Sequence, residues 1–363
     1  MTLQSVQVTP KTIWCFVKLV LQDGSTGWGE ASVGYADTVL KAITADVHQA
    51  LVGHRLSSVE KYIAARGMPE LSQAAVLGAL DQAYWDVGSR REGRAAAGWK
   101  AARVRDDVEV YANMNRRTED RSPDGFFKSA KATLSSGYTA LKIAPFDSVT
   151  TENCRTGEGR QGIDQGLARV AALRDAAGPG IQLYVDCHWR FDSVTAAAVL
   201  RELTALGVTW FECPIPENEE TLGAVKALRA QANDLGVRLA GLEKLTHPDA
   251  FLPWLRMGCY DVIMPDVKYA GGITGVLQTS KYAQEHATSC APHNPTGPVC
   301  HAASLAVCAM APSVDILEHQ VDETPLFWDM ATGDLPRPVN GRSRISEQAG
   351  LGIALNEDYL AYG

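Results

Sequence analysis

Short apolar runs recur through the later two-thirds of the chain, most of them about 25–30 residues apart. They read VEVYANM (108–114), TALKIAP (139–145), QLYVDCH (182–188), VTWFECP (208–214), RLAGLEK (238–244), YDVIMPD (260–266), TSCAPHN (288–294) and VDILEHQ (314–320). Continuous apolar runs of this length, separated by amphipathic segments, predict buried parallel strands joined by crossover helices. Each interval holds one helix and two loops. The interval between the second and third runs is longer, and TENCRTGEGRQG (151–162) reads there as a polar loop. Eight such units predict an α/β fold, a (β/α) barrel.

The pattern before residue 106 is different. Residues 3–32 alternate like strands and turn at Asp23-Gly24, which predicts an antiparallel meander. Residues 37–100 read as helical, most clearly at AAVLGALDQAYWDVGSRREGR, where Ala75, Gly78, Ala79, Gln82 and Ala83 give a small-residue face and Gly88 and Gly93 mark the end. An α+β domain (1–105) is therefore expected ahead of the barrel (106–320). No further βα unit follows, so 321–363 is expected to return to the first domain.

With 363 residues, 46% of them apolar, the chain can bury the core of a barrel plus an accessory domain. A net charge of −8 without basic runs argues against nucleic-acid binding. The eight cysteines have no metal-type or regular spacing; buried, reduced thiols and a cytoplasmic location are the expectation. Neither a signal peptide nor a membrane span is visible.

Chemistry gathers at the ends of the runs. Seven of the eight end in ionisable residues: Lys142, Asp186 with His188, Glu212, Glu243, Asp266 with Lys268, His293, and Glu318. Any one acid could simply cap the next helix. Three in register, Asp186, Glu212 and Glu243, converge on one mouth in a barrel, and three hard oxygen ligands suit Mg²⁺. Asp266 and His293 fall on adjacent strands, where a carboxylate orients an imidazole as a general base; a core histidine bonded to backbone is the plainer reading. His188, two residues after Asp186, would share its strand face and serve as acid or second base. Lys142 could neutralise a substrate carboxylate; Lys268, sharing a strand face with Asp266, is expected to bind substrate or, in the plainer reading, to pair with Asp266. Glu318 could donate a proton or hydrogen bond to a substrate carboxylate if crowding raises its pKa, or be a buried structural residue. A dication beside a histidine base fits removal of the proton next to a carboxylate, with the metal stabilising the enediolate.

On these residues the chain resembles the enolase superfamily, its mandelate racemase-like group, and within that the acid-sugar dehydratases of the galactonate dehydratase type. The resemblance rests on Gly27-Trp28-Gly29-Glu30, the helix Ala75–Asp86, the acids Asp186, Glu212 and Glu243, and Met264-Pro265-Asp266 with Ala270-Gly271-Gly272-Ile273-Thr274. Ala291-Pro292-His293 with Gly297-Pro298, and Glu318, complete it. It spans nearly the whole chain. It implies an N-terminal cap over a modified TIM barrel, (β/α)₇β, with the C-terminal segment joining the cap. It also implies a small-molecule carboxylate substrate, a homo-oligomer, and specificity from the loop carrying Val33 and Tyr35 and from residues 50–60. Many relatives carry Lys-x-Lys on the second strand; here it is Lys142-Ile143-Ala144, so that base is missing. Asp186-Cys187-His188 instead matches the galactonate dehydratase pattern, in which His293 with Asp266 abstracts the C2 proton and His188 protonates the departing C3 hydroxyl. Glu212-Cys213-Pro214 replaces the usual Glu-Glu-Pro. Trp189 and Arg190 could shape the pocket or face solvent as ordinary loop residues.

The leading expectation is a Mg²⁺-dependent dehydratase turning a sugar acid into a 2-keto-3-deoxy acid. An epimerase with His188 and His293 as opposing bases and a catalytically silent metal-binding paralogue are the alternatives.

Overall fold

The computed structural model describes residues 1–34 and 37–360. The meander forms as β1 (Thr2–Thr9), β2 (Thr12–Val20) and β3 (Thr26–Glu30), antiparallel in that order. Gly24, at φ +83°, makes the turn between β2 and β3. Three helices follow: α1 (Asp37–Leu51), α2 (Ser58–Ala64) and α3 (Leu71–Arg91). Every residue of α3 from Ala74 to Ser89 is buried, so this helix lies inside the molecule. Its small residues set how close its neighbours come. A Cβ on Gly29 of β3 would lie 1.8 Å from the Ala79 carbonyl, and one on Gly78 would lie 2.3 Å from the Lys268 carbonyl. Gly88 does not end α3 as expected. It makes room for the Trp99 ring, and the helix runs on to Arg91 before Gly93 turns left-handed.

The eight-unit rhythm is realised in full. The units are β4 (Asp107–Asn113), α4 (Pro123–Leu134), β5 (Ala140–Ile143), α5 (Gly157–Ala177), β6 (Gln182–Asp186), α6 (Ser193–Ala205), β7 (Val208–Glu212) and α7 (Leu222–Asp234). Then come β8 (Arg238–Gly241), α8 (Leu252–Met257), β9 (Val262–Ile263), α9 (Gly272–Glu285), β10 (Ser289–Cys290), α10 (Pro298–Met310) and β11 (Ile316–Gln320). All eight strands are parallel, each paired with its sequence neighbour, and β11 returns to β4. A bridge between Cys290 and Val314 joins β10 to the approach of β11 and closes the ring. The fold is thus a (β/α)₇β barrel behind an α+β cap.

Two expectations need correction. The strands are shorter than the apolar runs, and β9 and β10 hold only two residues each. The run 151–162 is a loop only in its first half. Thr156 caps α5, which starts at Gly157. Gly159 and Gly162 hide that helix in the sequence; they are glycines because Asn153 and Ser148 press on it at 2.0 Å and 2.7 Å from where a Cβ would sit.

The barrel interior is filled by one side chain or more from nearly every strand, including Tyr111, Tyr184, Trp210, Val262 and Ile316. Tyr184 and Trp210 stack at 4.8 Å. These rings form a floor beneath the acids at the strand ends. After β11 come α11 (Leu326–Asp329), the pair β12 (Ala331–Gly333) and β14 (Ile353–Leu355), and β13 (Arg342–Arg344), which adds antiparallel to β4. This segment also touches the cap, where the Asp86 carboxylate accepts from Trp28 N at 3.0 Å and Leu351 N at 2.9 Å.

Candidate active site

Asp186 and Glu212 are the last residues of β6 and β7, while Glu243 lies two residues past β8. One oxygen from each comes within 4.8 Å of the others, and all three residues are buried. Strand register explains the first pair, since Asp186 stands directly opposite Glu212. Glu243 is brought in by a left-handed step at Leu242, φ +74°.

The surroundings hold a surplus of negative charge. Glu318, on β11, is buried beside this group. Lys142 sits between Glu212 and Glu318, 2.6 Å and 2.7 Å from one oxygen of each. Trp210 Nε1 donates to the other oxygen of Glu212 at 2.8 Å. Glu243 Oε2 is buried without a hydrogen bond. Four carboxylates thus crowd around one ammonium, with the rings of His188 and His293 as the other groups able to carry positive charge beside them. Burial, with the neighbouring carboxylates adding to it, pushes Glu212 up to about 8 despite Lys142. A buried oxygen without a hydrogen bond, in a cluster of three carboxylates whose oxygens lie within 4.8 Å of one another, fits a hard divalent cation.

His188 does not share a strand face with Asp186. The strand has ended, and His188 and Trp189 both adopt left-handed backbone, φ 47° and 56°. The ring folds back instead, putting Nε2 2.7 Å from Asp186 Oδ2. Asp186 raises His188 to about 9, and His188 in turn holds Asp186 at about 2 against the opposing effect of burial.

Asp266 and His293 lie in the loops after β9 and β10. His293 Nδ1 meets Asp266 Oδ2 at 2.8 Å, and its Nε2 lies 3.3 Å from Glu243 Oε2. Burial disfavours the imidazolium, but Glu243, Asp266 and Glu318 outweigh it and raise the histidine. Lys268 Nζ donates to the same Asp266 oxygen at 2.8 Å. Asp266 therefore fixes His293 by Nδ1 and leaves Nε2 turned toward the acids.

Several expected roles change. Lys142 is 2% exposed and committed to two carboxylates, so it is not free to neutralise a substrate. Glu318 is lowered, not raised. Burial pushes it up, but Lys142 and His293 prevail, and Asn113 Nδ2 and Asn294 N also donate to its oxygens at 2.7 Å and 2.9 Å. Lys268 is buried and paired with Asp266. Arg190 Nη1 donates to the Asp147 and Val149 carbonyls, which ties the arginine to the loop after β5. Tyr35 lies outside the described residues.

Other contributors were not foreseen. Asn113 ends β4 and would have been found had strand-end amides been read with strand-end charges. Asn294 follows His293 directly. Glu30 is the cap's link to the site. Its carboxylate accepts from Thr296 Oγ1, Gly297 N and Cys300 N at 2.7, 2.8 and 3.0 Å, which caps α10 and pins the loop carrying His293. Cavity size is no guide. A cavity of about 680 Å³ between α2, α3 and α9, walled by residues such as Leu77, Trp85 and Leu277, holds none of the three acids.

Comparison with known proteins agrees with this geometry. Residues 126–359 match the family described as enolase C-terminal domain-like, and residues 2–97 match the mandelate racemase / muconate lactonizing enzyme N-terminal domain. The chain is 27% identical to the D-gluconate dehydratase of Thermoproteus tenax over 357 residues, covering 95% of this chain and 68% of that one. It is 26% identical over 363 residues to the D-galactonate dehydratase of Xanthomonas oryzae pv. oryzae, covering 96% and 90%. In fold it superposes on the mandelate racemase/muconate lactonizing enzyme of Jannaschia sp. CCS1 with a TM-score of 0.87, at 24% identity, over 99% of this chain and 96% of that one. Among the described residues no helix is long and apolar enough to cross a membrane.

Proposed function

The chain belongs to the mandelate racemase / muconate lactonizing enzyme family of the enolase superfamily, and from that premise we propose that it is a metal-dependent sugar-acid dehydratase. Its substrate in this reading is an aldonate such as gluconate or galactonate, and its product the 2-keto-3-deoxy acid. The observation that carries the reading is that two histidines meet this acid cluster, each paired with a carboxylate, His293 with Asp266 and His188 with Asp186. The names of the dehydratases to which the chain is similar supply the substrate class.

Asp186, Glu212 and Glu243 would hold the ion, and Mg²⁺ suits their oxygens. When bound, it supplies Lewis-acid stabilisation of the enediolate. His293 Nε2 takes the C2 proton, and the C–H electron pair moves into the carboxylate. Asp266 holds the ring's tautomer and stabilises the imidazolium that results. The electrons then return to form C2=C3 as the C3–O bond breaks. His188 gives its proton to the departing hydroxyl, which leaves as water, and the enol tautomerises to the keto acid. Lys142, between Glu212 and Glu318, pairs with both and holds Glu318 in its ionised form. Ala144 stands where many relatives carry a second lysine, and this reading gives the second proton to His188.

His293→Asn is expected to abolish exchange of the C2 proton with deuterium. His188→Asn is expected to stop dehydration while exchange continues. Loss of both activities in both variants would break the assignment of separate base and acid.

A further inference from the structure

Building on this metal-site reading, we propose that Glu217 is a positioning residue that fixes the metal-binding carboxylates by holding the left-handed backbone steps beside them. Four residues with left-handed backbone and a side chain flank the acids: His188 and Trp189 after Asp186, Cys213 after Glu212, and Leu242 before Glu243. Such steps are unfavourable for residues with a Cβ and persist only where neighbours enforce them.

Glu217 reaches two of them directly. Its Oε1 accepts from Leu242 N at 2.8 Å and from Tyr260 Oη at 2.7 Å, and Cys213 Sγ lies 4.0 Å from the same oxygen. The third step is joined through backbone, since Trp189 N donates to the Cys213 carbonyl at 2.6 Å and Cys213 N to that of Ala240 at 3.0 Å. Lys244 Nζ lies 4.0 Å over the Trp189 ring and closes the circuit on the solvent side. The approach is built for this carboxylate. A Cβ on Gly241 would lie 2.4 Å from Glu217 Oε1 and 2.8 Å from the Tyr260 ring, so a larger residue there would displace the carboxylate from its place. Pro214 and Pro216 stiffen the segment that delivers Glu217. One acceptor oxygen thus sets the turn from which Glu243 emerges, and its tie to Cys213 extends to the turns after Glu212 and Asp186.

The test is Mn²⁺ binding to the purified protein, followed by the loss of the free-ion EPR signal, with circular dichroism and thermal midpoint as controls for folding. Glu217→Gln keeps the reach and the acceptor without the charge, and its affinity is expected within about threefold of wild type. Glu217→Asp keeps the charge but withdraws it from Leu242, and about tenfold weaker binding is expected, the scale of lost support behind a metal ligand. Equal affinity in Glu217→Asp and wild type would overturn the proposal, as would a glutamine variant that binds as weakly as the aspartate one. If Glu217→Asp does not fold, Tyr260→Phe takes its place; about threefold weaker binding is expected, and unchanged affinity overturns the proposal. Failure of the metal-site reading looks different. The wild-type protein would then bind no Mn²⁺, or Asp186→Asn would bind it as well as wild type, and both readings would fall together.

Discussion

Lys142 carries its charge where water does not reach, and its partners decide what that charge does. As a lysine at a strand end it suggests a cation for substrate. The adjacent strands instead supply Glu212 and Glu318, and the ammonium is consumed by them. Removing one partner of such a buried group leaves charge without compensation, a loss of about 3–5 kcal/mol. Lys142→Met is therefore expected to lose about that much stability in urea titration, and a variant as stable as wild type would contradict the pairing. At this scale the kinds of residue at the mouth were legible, because seven apolar runs ended in ionisable groups. Their directions were not. Alternation along a strand was assumed for His188 and Lys268, yet β6 stops at Asp186 and β9 before Asp266. Beyond those points turn geometry sets where a side chain goes.

At the scale of the element, the cap's third strand and the barrel's last helix are one device. Glu30 ends β3, and its carboxylate caps α10, just after the loop that presents His293. Glu30→Ala would orphan buried donors at Thr296, Gly297 and Cys300. A loss of at least about 3 kcal/mol is expected, measurable by denaturant unfolding, since three donors are orphaned and each unsatisfied buried group costs about 1–3 kcal/mol. A loss below about 0.5 kcal/mol, in the range of ordinary surface substitutions, would mean the cap contributes nothing there. The motif around Glu30 was visible in the sequence, but its purpose was not, because its partners lie more than 260 residues away. The start of α5 was missed for a related reason. Its glycines look like loop, and the neighbours that require them are invisible to a local pattern.

At the scale of the whole molecule, α3 joins the cap to the barrel through buried acids. Asp81 accepts from Thr274 N and Oγ1 at 3.0 Å and 2.7 Å, at the start of α9. Burial raises its pKa from an ordinary 3.8 to about 7. The folded protein therefore holds this proton more tightly than the unfolded chain. The stability it contributes is full below pH 3.8 and is lost as pH rises through about 7. Relative to Asp81→Asn, wild-type stability should fall by up to about 1.4 kcal/mol per pH unit across that window and level off above it. A difference independent of pH would show that Asp81 is ionised throughout. The barrel itself was legible because its repeat is long and regular and each unit buries an apolar strand. The cap–barrel seam was not, because it is made by small residues and buried acids without a period.

The central claim is that the acids at the strand ends hold a metal and that His293 removes the proton next to a carboxylate. Proton NMR of D-gluconate and D-galactonate in D₂O, with the protein and with Mg²⁺ or a chelator, tests it most directly. The account predicts that the C2 proton signal disappears and a 2-keto-3-deoxy acid grows in for at least one of the two, only when the metal is present. An unchanged C2 signal for both with Mg²⁺ present, or turnover that survives chelation, would contradict it.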